Sequence, residues 1–271
     1  MEWASDLSQK ITPIELSRDF KDLELYALSD LHIGDPLCDV TAFRKFIKFI
    51  MAQENRYVVV NGDMANNAIK SSVSNIYNET CSPNEQRKWL IKELFAIKDR
   101  ILCYVEGNHE RRSKKDVDLS IAECVADGLG VRYYENFAAL KISFGHKIEL
   151  ANGKHNGNQK PCTYVVFVTH GSSGGSLLGS ALNKGERFIS RIEGCDLLVL
   201  GHSHKKAAGK IGSLVMDPQN NQIREIEKGI IVSSHWAAFG GYAARGMMPP
   251  SARGCTWAKL SGERKRVEIV L

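Results

Sequence analysis

Five short apolar runs end in polar, chemically potent residues: LELYALS leads into DLH (30–32), YVVVN into GD (62–63), ILCYVE into GNHE (107–110), TYVVFV into TH (169–170) and DLLVL into GHSH (201–204). Runs this short and this rich in β-branched side chains read as strands buried on both faces, as in a parallel sheet covered by helices. Helix-length segments lie between them. Residues 39–53 repeat Phe43, Phe46, Ile47 and Ile50 on one helical face. Residues 82–98 open with Ser82, Pro83 and Glu85, a capping box with proline in the first turn. Alternating strands and helices define an α/β chain, and ligands of such sheets gather outside the carboxyl ends of the strands. If the five runs are neighbours, Asp30, His32, Asp63, Asn108, His109, His170, His202 and His204 converge on one rim.

The remaining chain reads less sharply. Residues 1–22 form a polar lead, 64–81 an Asn- and Ser-rich exposed loop or loosely helical excursion, and 152–160 a turn-rich hairpin tip or flexible loop. Helices are expected over 118–130 and 177–192, and short strands over 131–135, 138–144 and 147–150. Residues 207–271 hold strand-like runs and no long helix. No repeat, low-complexity linker or domain boundary stands out. A chain of 271 residues, 43% of them apolar, fits a single domain over 1–271.

Composition removes several classes of protein. Seven cysteines without a CxxC pair argue against a disulfide framework and a thiolate zinc knuckle, and fit a reducing, cytoplasmic setting. The first residues, MEWASDLSQK, lack the basic flank and apolar run of a signal peptide, and no segment is apolar enough for integral membrane association. A formal charge of +5 permits a phosphate-rich substrate without requiring one.

Taken singly, each polar fragment is ordinary: a turn aspartate, a core histidine, a capping residue. Together they are costly to bury unless they are paired or coordinate something. Carboxylate, amide and imidazole donors with one shared carboxylate suit two divalent ions, Mn²⁺ foremost, with Fe, Zn²⁺, Ni²⁺ or Co²⁺ as alternatives. Two such ions about 4 Å apart activate a bridging water and clamp a phosphoryl group during in-line displacement.

In order and spacing, the blocks DLH, GD, GNHE, TH and GHSH resemble those of the calcineurin-like metallophosphoesterases, a group that includes protein serine/threonine phosphatases, nucleases and many bacterial and phage phosphodiesterases. The resemblance spans residues 30–204 and implies a four-layer α/β/β/α sandwich with two central mixed β-sheets and a dinuclear site at the strand ends. It implies that Asp30, His32 and His204 hold one ion, that Asp63 bridges, and that Asn108, His170 and His202 hold the other. Asn108 would also meet a phosphate oxygen, and His109 would act as general acid toward the leaving alkoxide. Glu110 is expected in a salt bridge or at a helix start. One position departs from the pattern: many family members carry an acidic residue three positions after the bridging aspartate, to orient the catalytic histidine, but this chain has Asn66. Either His109 is held less firmly, or another carboxylate such as Asp35 substitutes.

The substrate is the least constrained point. Arg111, Arg112, Lys114 and Lys115 form either a solvated face or a cationic wall that steers a polyanion. The Gly- and Ser-rich loop 170–179 has room for a phosphate or a bulky leaving group. Residues 233–257 hold Trp236, Phe239 and Tyr242 with Arg245 and Arg253, either as packing for a sheet or as a stacking surface for a base. A phosphate ester is the expected substrate, first a phosphodiester of a nucleotide or nucleic acid, with a phosphomonoester as the alternative. A noncatalytic metal-bound scaffold is the reading from a different class. Neither a protein partner nor an oligomeric state follows from the sequence.

Overall fold

Strand β3 (Arg56–Asn61) carries the layering in its own side chains: Val58 and Val60 join one apolar cluster, Tyr57 and Val59 another. Both faces are therefore covered, as the unbroken valine run requires. The computed structural model describes residues 10–72, 75–148, 160–172, 175, 177–245, 247 and 249–271.

Two six-stranded sheets lie face to face. The first runs β1 (Thr12–Glu15), β6 (Phe137–Phe144), β7 (Cys162–Thr169), β8 (Leu197–Leu200), β10 (Gln222–Val232), β9 (Ala207–Asp217). The second runs β12 (Val267–Val270), β11 (Thr256–Ser261), β2 (Asp22–Leu28), β3, β4 (Ile101–Val105), β5 (Tyr133–Tyr134). Both are mixed: β2, β3, β4 and β5 pair in parallel, as do β7, β8 and β10, while β6 with β7, β9 with β10, and β11 with β2 are antiparallel.

Helices α1 (Val40–Met51), α2 (Pro83–Leu94) and α4 (Ile121–Leu129) cover the outer face of the second sheet through Phe43, Ile47, Leu90, Leu94 and Val125. Helix α5 (Leu178–Ile189) covers the first sheet through Ala181 and Ile189. Between the sheets lie Leu25, Val59, Val105, Leu140, Val166, Leu197 and Val199, all fully buried. Each such side chain contributes about 1.5–3 kcal/mol on burial, so this layer sets the spacing of the sheets. The result is the expected α/β/β/α sandwich.

Local signals hold where they are strongest. Asp39 caps α1 by accepting the Ala42 N–H at 2.8 Å, and Ser82 and Glu85 close a capping box on α2. The basic run forms a short helix, α3 (Arg111–Val117). The tail holds a five-residue helix, α6 (Gly241–Arg245), beside the long β9–β10 hairpin.

Three expectations need correction. The polar lead contains β1, which pairs in parallel with β6 and sets Ile14 beside Ile142. His146, Lys147 and Ile148 are not in a strand, so the run expected at 147–150 does not extend β6; Glu149 and Leu150 lie outside the described residues, as do 152–159 of the expected hairpin tip. Residues 64–68 are buried rather than an exposed loop, because Ala65 bridges to Ile33 and the amides of Asn66 and Asn67 find partners inside. Among the described residues no helix is long and apolar enough to cross a membrane.

Candidate metal centre

The polar residues past the strands sit on bent backbone. Asp30, His32, Asp63, His202 and His204 have φ of 53°, 51°, 54°, 62° and 53°. Such left-handed conformations cost a non-glycine residue on the order of 1–3 kcal/mol each and persist where the surroundings over-determine them. Two glycines let the loops meet. Gly62 has φ 83°, and a Cβ there would lie 2.6 Å from both the Gly107 Cα and the His170 Nδ1. A Cβ on Gly107 would strike the Asp63 backbone nitrogen.

These loops gather two donor sets. In one, Asp30 Oδ1 lies 3.1 Å from His204 Nε2 and 3.9 Å from His32 Nε2, and the two imidazole nitrogens are 3.1 Å apart. In the other, His170 Nε2 lies 3.2 Å from Asp63 Oδ2, 3.2 Å from His202 Nδ1 and 3.1 Å from Asn108 Oδ1. A third group, His32, Asp63 and His109, joins them, and within each group the donor atoms lie within 4.8 Å of one another. Asp30, Asp63 and Asn108 follow strands of the second sheet, and His170, His202 and His204 follow strands of the first.

The charges are strongly coupled. Burial opposes ionisation of Asp63, yet His170, His109 and His32 hold its carboxyl well below the usual range. Burial likewise opposes ionisation of Asp30, but His204 brings it down to about 2. Burial depresses His170 while Asp63 and Asp30 raise it, and the balance lies at about 10. Burial, with His109 and His204, drives His32 well below its ordinary value. Asp30 Oδ1 is buried without a hydrogen bond although His204 Nε2 is near. His170 Nε2, which carries at most one proton, thus faces three polar atoms at 3.1–3.2 Å. Divalent cations fit this donor set of carboxylate, amide and imidazole, in which no cluster includes a cysteine.

Glu110 stands at the start of α3, in the N-cap position and without a side-chain cap bond, and among the described residues it forms no salt bridge. Its buried carboxylate accepts backbone N–H groups from Asp63 (2.8 Å), Met64 (2.6 Å), Ala65 (3.2 Å) and Gly107 (3.1 Å). Burial, then the charge of Asp63, lifts it to about 7. Asp63 in turn accepts the His109 N–H through Oδ1 at 2.8 Å, which locks the GD and GNHE loops together.

His109 Nδ1 faces the backbone and side-chain oxygens of Asn66 at 3.0 and 3.1 Å, and its Nε2 lies 3.8 Å from Asp63 Oδ2. Asp35 does not substitute for the missing acid: its Oδ1 accepts the Leu37 N–H at 2.8 Å. The basic run divides. Arg111 binds buried Glu106 at 3.0 Å, Lys114 pairs with Glu135 at 2.9 Å, and Lys115 is exposed. Arg112 turns inward, 3.0 Å from both His109 Nε2 and the Asn66 carbonyl. A four-residue cationic wall is thereby reduced to one guanidinium at the site.

In the tail, Trp236 is buried against Phe43 and Phe46, and Trp257 stacks on Tyr26, so these aromatics pack the second sheet. Phe239 is exposed. Arg253 pairs with Asp39 at 3.1 Å. The side chains of Tyr242 and Arg245, and residues 173, 174 and 176 of the Gly/Ser loop, lie outside the described set.

Sequence reasoning missed His235, which stacks on His204 with ring centroids 5.2 Å apart. Burial, then His204, lowers it to about 4. The signal was there: GIIV runs into SSH as the other strands run into their candidate ligands.

A model of the calcineurin-like phosphoesterase family matches residues 24–206, and the chain belongs to that family. No curated protein sequence matches it. Among solved structures it is similar to a candidate 5′-nucleotidase from Staphylococcus aureus, with 13% identity, TM-score 0.43 and coverage of 92% of this chain and 53% of that one. A NAD nucleotidase from Haemophilus influenzae gives 12% identity, TM-score 0.39 and coverage of 92% and 49%. A phosphopantetheinyl hydrolase from Mycobacterium tuberculosis gives 11% identity, TM-score 0.34 and coverage of 79% and 90%. The chain thus spans about half the length of the first two.

Proposed function

We propose that the protein is a metal-dependent hydrolase of phosphate esters, acting on a phosphodiester of a nucleotide or nucleic acid. The observation that carries the reading is the pair of donor sets on either side of Asp63, with the His109 imidazole beside them. Asp30, His32 and His204 would hold one ion, Asn108, His170 and His202 the other, and Asp63 would be common to both. Mn²⁺ is the favoured ion because oxygen and imidazole donors dominate and thiolate is missing from the clusters. When bound, the two ions supply an activated water and neutralise charge on the phosphoryl group.

The protein's own groups complete the chemistry. Glu110 and Asp63 fix the loop that presents Asn108 and His109, so both amide and imidazole meet the substrate without reorganising. His109 gives its Nε2 proton to the departing alkoxide. Arg112 now donates toward Nε2, which requires a lone pair there; a substrate phosphate that draws the guanidinium away frees that nitrogen to carry a proton.

The test is a panel of bis-nitrophenyl phosphate, nitrophenyl phosphate, cyclic nucleotides, dinucleotides and short DNA with Mn²⁺. Diester cleavage that falls in His109→Asn far more for poor leaving groups than for nitrophenyl esters supports the reading. Rapid monoester hydrolysis without diester cleavage replaces it with the phosphatase alternative, and a folded, Mn²⁺-loaded protein inert on the whole panel leaves the scaffold.

A further inference from the structure

Asn66 stands where a carboxylate is expected behind the catalytic histidine, yet a carboxylate is present one step further out. The Asn66 Nδ2 donates to Glu79 Oε1 at 2.6 Å, while the Asn66 Oδ1 faces His109 Nδ1 at 3.1 Å. The direction of this chain is forced. An ionised carboxylate only accepts, so Asn66 must turn its NH₂ toward Glu79 and its oxygen toward the imidazole. His109 then meets two acceptors at Nδ1, the Asn66 carbonyl being the other at 3.0 Å, and keeps its proton there, leaving Nε2 to face the site.

Glu79 is itself held. Gln86 Nε2 donates to Glu79 Oε2 at 3.0 Å, and the Gln86 amide cannot turn over, because its Nε2 also donates to the Cys81 carbonyl at 2.9 Å and its Oε1 accepts the Asn67 N–H at 2.9 Å. Along the order His109, Asn66, Glu79 each group donates to the next, and Gln86, anchored on α2, donates to Glu79 from the other side.

From this geometry we infer that Glu79, acting through the Asn66 amide, is the positioning residue for the His109 imidazole. It replaces a direct carboxylate contact by a two-step relay across a loop. The inference rests on the proposed role of His109 as acid, and its test is divided so that the two fail separately.

Glu79→Gln is nearly isosteric but puts an NH₂ where two donors already point. With Gln86 pinned, the substituted amide must turn its own NH₂ toward Asn66, whose amide then flips and offers a donor to Nδ1. Adding Asn66→Asp restores an acceptor on both sides: the amide introduced by Glu79→Gln donates to the new carboxylate, and that carboxylate accepts from His109. The expected result is that Glu79→Gln lowers turnover of poor-leaving-group diesters by roughly ten-fold while nitrophenyl esters change little, a fraction of what general acid catalysis supplies. The double variant should return to within roughly two-fold of wild type on both.

The second readout needs no activity. In metal-free protein labelled with ¹⁵N-histidine, the His109 Nδ1–H signal should be present in wild type, displaced in Glu79→Gln and restored in the double variant. Equal losses on both ester types with no rescue, or a folded double variant that has lost only the poor-leaving-group substrates, overturn the relay. So does an Nδ1–H signal identical in all three proteins. If Glu79→Gln does not fold, the double variant and its spectrum still decide. Wild type inactive on every ester, with the spectral series as expected, would keep the relay and sink only the catalytic reading.

Discussion

Glu110 holds Asp63 by its backbone rather than by its carboxyl group: Oε2 of the one accepts the N–H of the other at 2.8 Å, 47 residues away in sequence. Above the value of about 7 to which burial lifts it, the Glu110 carboxylate is satisfied by four backbone donors and leaves no room for a group that donates. Glu110→Gln puts an NH₂ against two of those N–H groups, and hydrogen bonds to charge are each worth about 1.5–3 kcal/mol. The expected loss in urea unfolding is about 3 kcal/mol, with weaker Mn²⁺ uptake because Asp63 is no longer pinned. A loss within experimental error would mean that the GD loop holds its shape unaided.

Metal loading should separate the two donor sets. Wild type should bind two Mn²⁺ per chain, and ions at a hundred-fold excess over Kd should raise unfolding free energy by about 2.7 kcal/mol for each independent site. His32→Ala removes a donor from the Asp30 group and leaves Asp63, His170 and His202 intact, so elemental analysis should approach one ion. Asp63→Asn should nearly abolish turnover. Full metal content and near-normal turnover in Asp63→Asn would demote Asp63 to a turn residue.

The basic run should behave as one interior residue and three outer ones. Arg112→Gln is expected to raise KM for small diesters by roughly ten-fold, in line with the loss of one charge-assisted contact. Neutralising Lys114 and Lys115 together should leave small-diester kinetics unchanged. If short DNA is bound, neutralising the same pair should leave its log-log salt slope unchanged, and a fall of about 0.7–0.9 per lost phosphate contact would restore the wall.

The tail contains a built-in control. Trp236→Ala empties a site between Phe43 and Phe46 and should cost about 3–5 kcal/mol. Phe239 is exposed, so Phe239→Ala should move stability by less than about 0.5 kcal/mol. A rise in KM for nucleotides but not for nitrophenyl esters in Phe239→Ala would give that ring to the substrate.

Thiol chemistry offers a pH check away from the rim. Burial raises Cys38 to about 12 and Cys195 to about 11. The thiolate is the reactive form, so alkylation at these positions should be negligible at pH 8, rise as pH approaches those values, and become rapid at pH 8 on unfolding in denaturant. Fast native labelling of Cys195 would contradict its burial.

What the chain spells out and what it hides follow one physical division. Val58, Val60 and Val199 announce strands because two-sided burial leaves no alternative, Val166 because it lies on the buried face of an alternating strand, and each run leads into a candidate ligand loop. Such patterns are local, and they gave the layers and the convergence at the rim. Glu79 gave no sign, since its value depends on an amide thirteen residues away in a loop with no periodicity. The same holds for the orientation of Arg112, which only the turn into α3 decides: Arg111 and Arg112 are neighbours in sequence, yet one grips Glu106 and the other His109. Strand β1 was hidden because four residues pairing at an edge need little apolar content.

The candidate ligands are drawn from both sheets, and this makes the apolar filling between them a gauge block. The girth of Val59, Val105, Val166, Val168 and Val199, with Leu25, Leu140 and Leu197 of the same layer, helps decide how far the aspartates of one sheet stand from the histidines of the other. Close-packed interiors transmit displacement rather than absorb it. Trimming a methyl deep in that layer is therefore expected to alter the aperture at the rim, so that residues outside both donor sets calibrate the distance between them.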